Sequence, residues 1–309
     1  MVSSSIKLTS RPAFARHIPS AEPSRAIIST YLLDQQSDSR TGSLVIIDVE
    51  NNETLKIDRE ISTSAGVFRF DFRNESQVIA ALTDGSLAVQ NIDGSKESDN
   101  IPVSSDMLLD IALSDSSLTA TTDNKGTAYI VDLNTSLVVS SWSAHSLPYT
   151  TDNQGCEVWS CTINKSANLV ATGGEDATMK LWDVRTRTSI GQCKLFDAGV
   201  VFVDFWKEEQ DDYYLITGSY DESVRILDRR NLKQSIEEKK LSGGVWNIEK
   251  SNNQLCIACM YGGYTILNEK LEIIRSNEEA GRNLLYGASL MANDKVIYCT
   301  FNDYSVVLE

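Results

Sequence analysis

The chain repeats itself. Seven times an apolar or alternating run meets a turn, a second run follows, and an acidic or amide residue ends it. "LVATGGEDATMKLWDV" (169–184) and "YLITGSYDESVRILDRR" (214–230) are the clearest copies. "SLVIIDV" (43–49), "VIAALTDGSLAVQNI" (78–92), "LTATTDNKGTAYIVDL" (118–133), "LCIACMYGGYTILN" (255–268) and "VIYCTFNDYSVVLE" (296–309) are weaker ones. The closing residues are Asp48, Asn91, Asp132, Asp183, Asp228, Asn268 and Glu309, at intervals of 40 to 51 positions. These segments alternate with period two and are rich in Val, Ile, Thr and Tyr, which is strand chemistry rather than helix chemistry. The pattern predicts an all-β chain: one seven-bladed β-propeller of four-stranded sheets over residues 1–309.

The seventh unit ends at Glu309 on its third strand and lacks an outer one. The N-terminal "SSIKLTS" is expected to supply it, because an open ring exposes an unpaired sheet edge. Residues 1–20 are therefore read as closing outer strand plus connection. Lys7, Arg11, Arg16 and Arg25 give this end the charge of a targeting peptide, but Pro12, Pro19 and Pro23 argue against the continuous helix it would need. The longest interval, before Asp183, comes from an inserted polar loop, "AHSLPYTTDNQG" (144–155), between blades three and four. Long loops carry binding groups, which makes it a functional candidate.

"MKLWDVR" resembles the Trp-Asp ending of WD-repeat proteins, and "RILDRR" is a degenerate copy. The resemblance implies a WD-repeat propeller closed by its N-terminal strand. It also implies a structural set of His145, Thr172, Asp176 and Trp182 in blade four, with Asp221 at the matching turn of blade five.

Composition narrows the function. A net charge of −15, from 43 acids against 28 bases, excludes general affinity for nucleic acid and suits a cationic partner. No apolar run approaches the ~20 residues of a membrane span. Six thinly spread cysteines point to the reduced cytoplasm. With two histidines, His17 and His145, neither a multi-histidine metal site nor any cofactor is expected. No G-x-S-x-G, H-E-x-x-H or P-loop occurs. Cys256 and Cys259 lie in an apolar strand without a second ligand pair and read as core.

Five inner strands open on an apolar pair: Val67-Phe68, Val158-Trp159, Val200-Val201, Val245-Trp246 and Leu285-Tyr286. Inner strands line a propeller's channel. Phe68, Trp159, Trp246 and Tyr286 are thus expected around one mouth, where aromatic faces would attract a quaternary ammonium. The competing expectation is packing between blades.

The order "CEVWSC", "GGEDATMKLWDVR", "DAGVV", "ITGSYDESVRILDRRNLKQ", "GGVWNI", "ACMYGGYTILN", "LLYGA" resembles the diphthine methyl ester hydrolases of diphthamide biosynthesis, over residues 140–290. That resemblance implies a monomeric cytoplasmic enzyme whose substrate is a trimethylammonium-bearing modified histidine on translation elongation factor 2. Glu157 and His145 are the candidate bases for water attack on the ester. Ser219, Tyr220 and Tyr286 are the candidate hydroxyls, and Gly243 and Gly244 offer N–H groups for the oxyanion. Leu227 stands where a Trp is preferred and Tyr261 where a His is expected. The alternative class is a non-catalytic adaptor. Trp182–Arg185 matches a W-D-x-R element that docks cullin-RING ubiquitin ligases, and a trafficking scaffold is a further alternative.

Overall fold

Middle strands of the repeats are apolar on both faces because a neighbouring blade covers each face. The computed structural model describes residues 4–18, 24–36, 39–51, 53–95, 100–147, 154–206, 212–251, 253–291 and 294–309. These form seven antiparallel sheets arranged as a β-propeller. Gln77–Leu82, Leu169–Gly174 and Tyr214–Ser219 are buried almost throughout. Outer strands such as Leu137–Ser143 and Thr188–Cys193 are largely exposed. Seven apolar clusters each join two neighbouring blades, and an eighth surrounds the channel. Each fully buried aliphatic side chain in them stabilises the fold by about 1.5–3 kcal/mol.

The ring closes through the N-terminal strand. Ser4–Lys7 pairs antiparallel with Ser305–Leu308, placing Ser4 opposite Leu308 and Lys7 opposite Ser305. Leu8 N–H continues the ladder to the Tyr304 carbonyl at 2.9 Å. Residues 11–17, expected to be connection, are instead the innermost strand of blade one, Arg11–His17. Pro12 was the misleading signal. It sits where the register shifts between Pro12 and Phe14, a bulge that tolerates a residue without N–H. This strand packs on the inner strand of blade seven. Gly287 permits the approach, since a Cβ there would lie 2.4 Å from Ala15 N.

Turns before the third strands need a left-handed residue. Gly85 (φ 85°), Gly126 (φ 96°) and Gly263 (φ 76°) supply it cheaply, while Ala177 (φ 55°) and Glu222 (φ 66°) adopt it under constraint. The constraint is the preceding Asp. Asp176 accepts the Thr178 N–H at 3.2 Å, and Asp221 that of Ser223 at 3.0 Å. Of the inserted loop 144–155, Ser146 bridges to Gly155 across its base. Its residues 148–153 lie outside the described residues. No helix among the described residues is long and apolar enough to cross a membrane.

Candidate functional site

Inner strands of a propeller start at one end of the channel, so residues at their openings meet there. Phe68, Trp159, Trp246 and Tyr286 line one cavity of about 420 Å³ together with Tyr31 and Tyr220. Trp246 is the hub. Its ring centroid lies 4.7 Å from Tyr286, 5.7 Å from Trp159, 6.1 Å from Tyr220 and 6.2 Å from Phe68. These rings belong to the channel cluster, with Leu109 and Val201, and not to the clusters between blades. Trp246 and Phe68 are buried, whereas Trp159, Tyr220 and Tyr286 keep part of their surface open.

Sequence reasoning missed Tyr31 altogether and named Tyr220 only as a hydroxyl. Tyr31 comes from the second strand of blade one, and Tyr220 from the turn after the second strand of blade five. Neither stands in the inner-strand pattern that exposed the others.

Arg69 spans the channel from blade two. Its Nη2 donates to the Trp246 carbonyl at 3.0 Å and the Val201 carbonyl at 3.3 Å, and its guanidinium lies 5.4 Å from the Trp246 ring. Asp110 is 3.8 Å from it, with a carboxyl pushed up by burial. The strand ends beyond hold a second, polar chamber with the ion pairs Arg16–Asp71 and Lys250–Asp204, each 2.6 Å.

Negative charge gathers on blade four. Trp159 donates its indole N–H to Glu175 Oε2 at 2.7 Å, and Glu175 N–H donates to the Glu157 carbonyl at 2.9 Å. Glu157 is half-buried, two residues before Trp159. Burial, reinforced by Glu175, raises the Tyr220 hydroxyl well above its ordinary range. Burial likewise pushes Tyr286 up to about 12. Both cavity hydroxyls therefore stay protonated at neutral pH. Glu175 was not singled out in the sequence, although "GGEDA" placed it beside the turn Asp.

Other candidates are used by the fold. His145 is 1% exposed with both ring nitrogens engaged. Trp182 Nε1–H donates to Thr172 Oγ1 at 2.8 Å, Thr172 Oγ1 lies 2.7 Å from His145 Nε2, and His145 Nδ1 lies 2.8 Å from Asp176 Oδ1. The neutral imidazole satisfies this chain, accepting from Thr172 and donating to Asp176, and leaves no nitrogen for a substrate. In this geometry His145 fits the structural set that the WD-repeat resemblance implied, with both nitrogens spent within the fold. Ser219 is buried, with Oγ donating to the Ala198 carbonyl at 3.1 Å and accepting the Asp221 N–H at 3.1 Å. Gly243 approaches its own chain, since a Cβ there would lie 2.3 Å from the Cys259 carbonyl oxygen. Gly244 lies against Met260 and Tyr220. Neither glycine lines the cavity. Cys256 and Cys259 are buried free thiols. Of Trp182–Arg185, Trp182 is spent on the tetrad and Asp183 on the Thr186 N–H at 2.9 Å.

Residues 137–183 match the family "WD domain, G-beta repeat". The WD40 β-propeller domain of Doa1 superposes with a TM-score of 0.77 at 12% identity, covering 99% of this chain and 95% of that one. The diphthine methyltransferase of Mus musculus is 31% identical over 182 residues, 54% of this chain. That of Schizosaccharomyces pombe is 24% identical over 236 residues, 72% of this chain and 68% of its own length. The chain is similar to the diphthine methyltransferases, and part of it matches a WD repeat. It matches 36% of the mouse protein's length. Among the described residues, the aromatic mouth gathers Phe68, Trp159, Tyr220, Trp246 and Tyr286 around one cavity.

Proposed function

We propose that this protein hydrolyses the methyl ester of diphthine on translation elongation factor 2, releasing methanol in the cytoplasmic synthesis of diphthamide. The name shared by its relatives supplies diphthine; hydrolysis as the direction of methyl flow is our reading. The aromatic cage around Trp246 carries it. A trimethylammonium group has no N–H to donate, so aromatic faces recognise it where hydrogen-bond acceptors cannot. A desolvated cation–π contact contributes about 2 kcal/mol or more. Glu175, accepting from Trp159, adds negative charge at the ring edge.

Glu157 takes a proton from water as the water oxygen bonds to the ester carbonyl carbon. The carbonyl electrons move onto oxygen, then return as the bond to the methoxy group breaks. The departing methoxide takes up the proton and leaves as methanol. Water is favoured over a serine nucleophile because the Ser219 hydroxyl is engaged by main chain.

Purified protein is expected to release methanol from methylated elongation factor 2 with no methyl donor present. Glu157→Gln should lower turnover by roughly 10²–10⁴-fold. Dependence on a sulfonium donor, with methyl gained by the factor, would replace hydrolysis with transfer. Absence of either reaction, with ligase subunits copurifying, would give the adaptor reading instead.

A further inference from the structure

Two arginines line the same cavity. Arg11 opens the inner strand of blade one, and Arg40 lies in the short strand Ser39–Thr41, which pairs with the second strand of that blade. Trp159 of blade four lines this cavity too. It holds Glu175 at its indole edge, while neither Glu175 nor Glu157 itself lines the cavity; the cationic lining comes from blade one.

Their pairing is unusual for this chain. Arg16, Arg25, Arg225 and Arg230 each meet a carboxylate within 2.8 Å. Among the described residues neither Arg11 nor Arg40 has such a partner. Arg11 is held by rings instead: its guanidinium lies 4.9 Å from the Phe301 ring and 5.7 Å from the Tyr304 ring. Its Nε donates to the Tyr304 hydroxyl at 3.2 Å. Tyr31 lines the same cavity and feels both charges. A guanidinium positioned without a carboxylate in an acidic protein keeps its donor fork for a ligand, and that fork matches the two oxygens of a carboxylate.

We infer that Arg11 and Arg40 are the anion-binding pole of this cavity. The site then takes a ligand with a quaternary ammonium at one end and, at the other, an oxygen that is negative or becomes so. This rests on the ester hydrolysis proposed above. There the two arginines hold the carbonyl oxygen as it gains charge on water addition, and afterwards the product carboxylate. The ester itself is neutral at that end, so the contact strengthens on the way to the tetrahedral adduct, which raises turnover rather than substrate affinity.

The test titrates the full chain with three probes: tetramethylammonium, γ-butyrobetaine and γ-butyrobetaine methyl ester. Wild type should bind the free carboxylate roughly tenfold or more tighter than its ester, the worth of one hydrogen bond to a charged group. Arg11→Gln and Arg40→Gln should each erode that preference and leave tetramethylammonium affinity unchanged. On methylated elongation factor 2 both variants should lose kcat with little change in KM. If wild type binds tetramethylammonium and the ester but gains nothing from the carboxylate, the anion pole is refuted and the cage stands. If it binds none of the three, the cage fails and the pole with it. Should Arg11→Gln lose its fold with the Tyr304 bond, Arg40→Gln, which breaks no side-chain bond among the described residues, decides.

Discussion

The indole N–H of Trp159 donates to Glu175 Oε2 across 2.7 Å. The bond ties an inner-strand ring to the turn after the second strand of the same blade. It fixes the ring's plane and leaves a carboxylate charge at its edge. A cation over that face meets the ring quadrupole and the charge together.

Replacing Glu175 with Gln keeps an acceptor for the indole and removes the charge. Tetramethylammonium affinity, read by tryptophan fluorescence, should fall by about 0.5–1 kcal/mol. Trp246→Leu removes the hub ring and should weaken binding by about 1–2 kcal/mol. The Trp246 carbonyl remains for Arg69, so the channel's main-chain contact survives. Wild-type affinity in both variants would overturn the cage.

His145 links Thr172 to Asp176 in the interior, and burial holds its pKa below the ordinary value despite Asp176. Because the unfolded chain takes up this proton first, the stability contributed is whole above about pH 6.5 and is lost as pH falls below it. Burial would raise the Asp176 carboxyl, but His145, Thr178 and Lys180 hold it low. Its contribution is likewise lost as pH falls below about 4. His145→Ala should cost about 1–3 kcal/mol, measured by urea unfolding at pH 8, by leaving buried partners unsatisfied. It should also flatten the pH dependence between about pH 7 and 5. Turnover per folded molecule should be unchanged; a hundredfold loss in a folded variant would restore His145 as a base.

Truncation before Arg11 removes the closing strand and spares the inner strand of blade one. Ser305–Leu308 then becomes an open edge, and burial of Leu8 and part of Ile6 is lost. Stability should drop by roughly 2–4 kcal/mol from those side chains. Size-exclusion chromatography should show association of the truncated chain. An unchanged melting temperature in a monomeric product would refute closure by this strand.

Periodicity carried the architecture. Alternating runs at a fixed interval can be buried only by stacking blade on blade, so seven Asp-like endings and an unfinished last unit already specified the ring and its closing strand. Local pattern also placed four aromatic residues at one mouth, because the starts of the inner strands meet at one end of the channel. It failed at Pro12, where a bulge admits a proline that reads as a break. It named His145 twice over and left its role open, since a histidine's partners are distant in the chain. Thr172 lies 27 positions away and Asp176 lies 31.

Tertiary structure alone decided which charges meet. Tyr31, Tyr220, Glu175, Arg11 and Arg40 come from a middle strand, turns, an inner-strand start and a short edge strand on three blades. No periodicity relates them. Their proximity follows from closing the ring, which brings residues of blades one, four and five to one mouth. The sequence determined that such a ring forms; the closed geometry determined that its mouth joins aromatic rings to two arginines, with a carboxylate at the edge of Trp159.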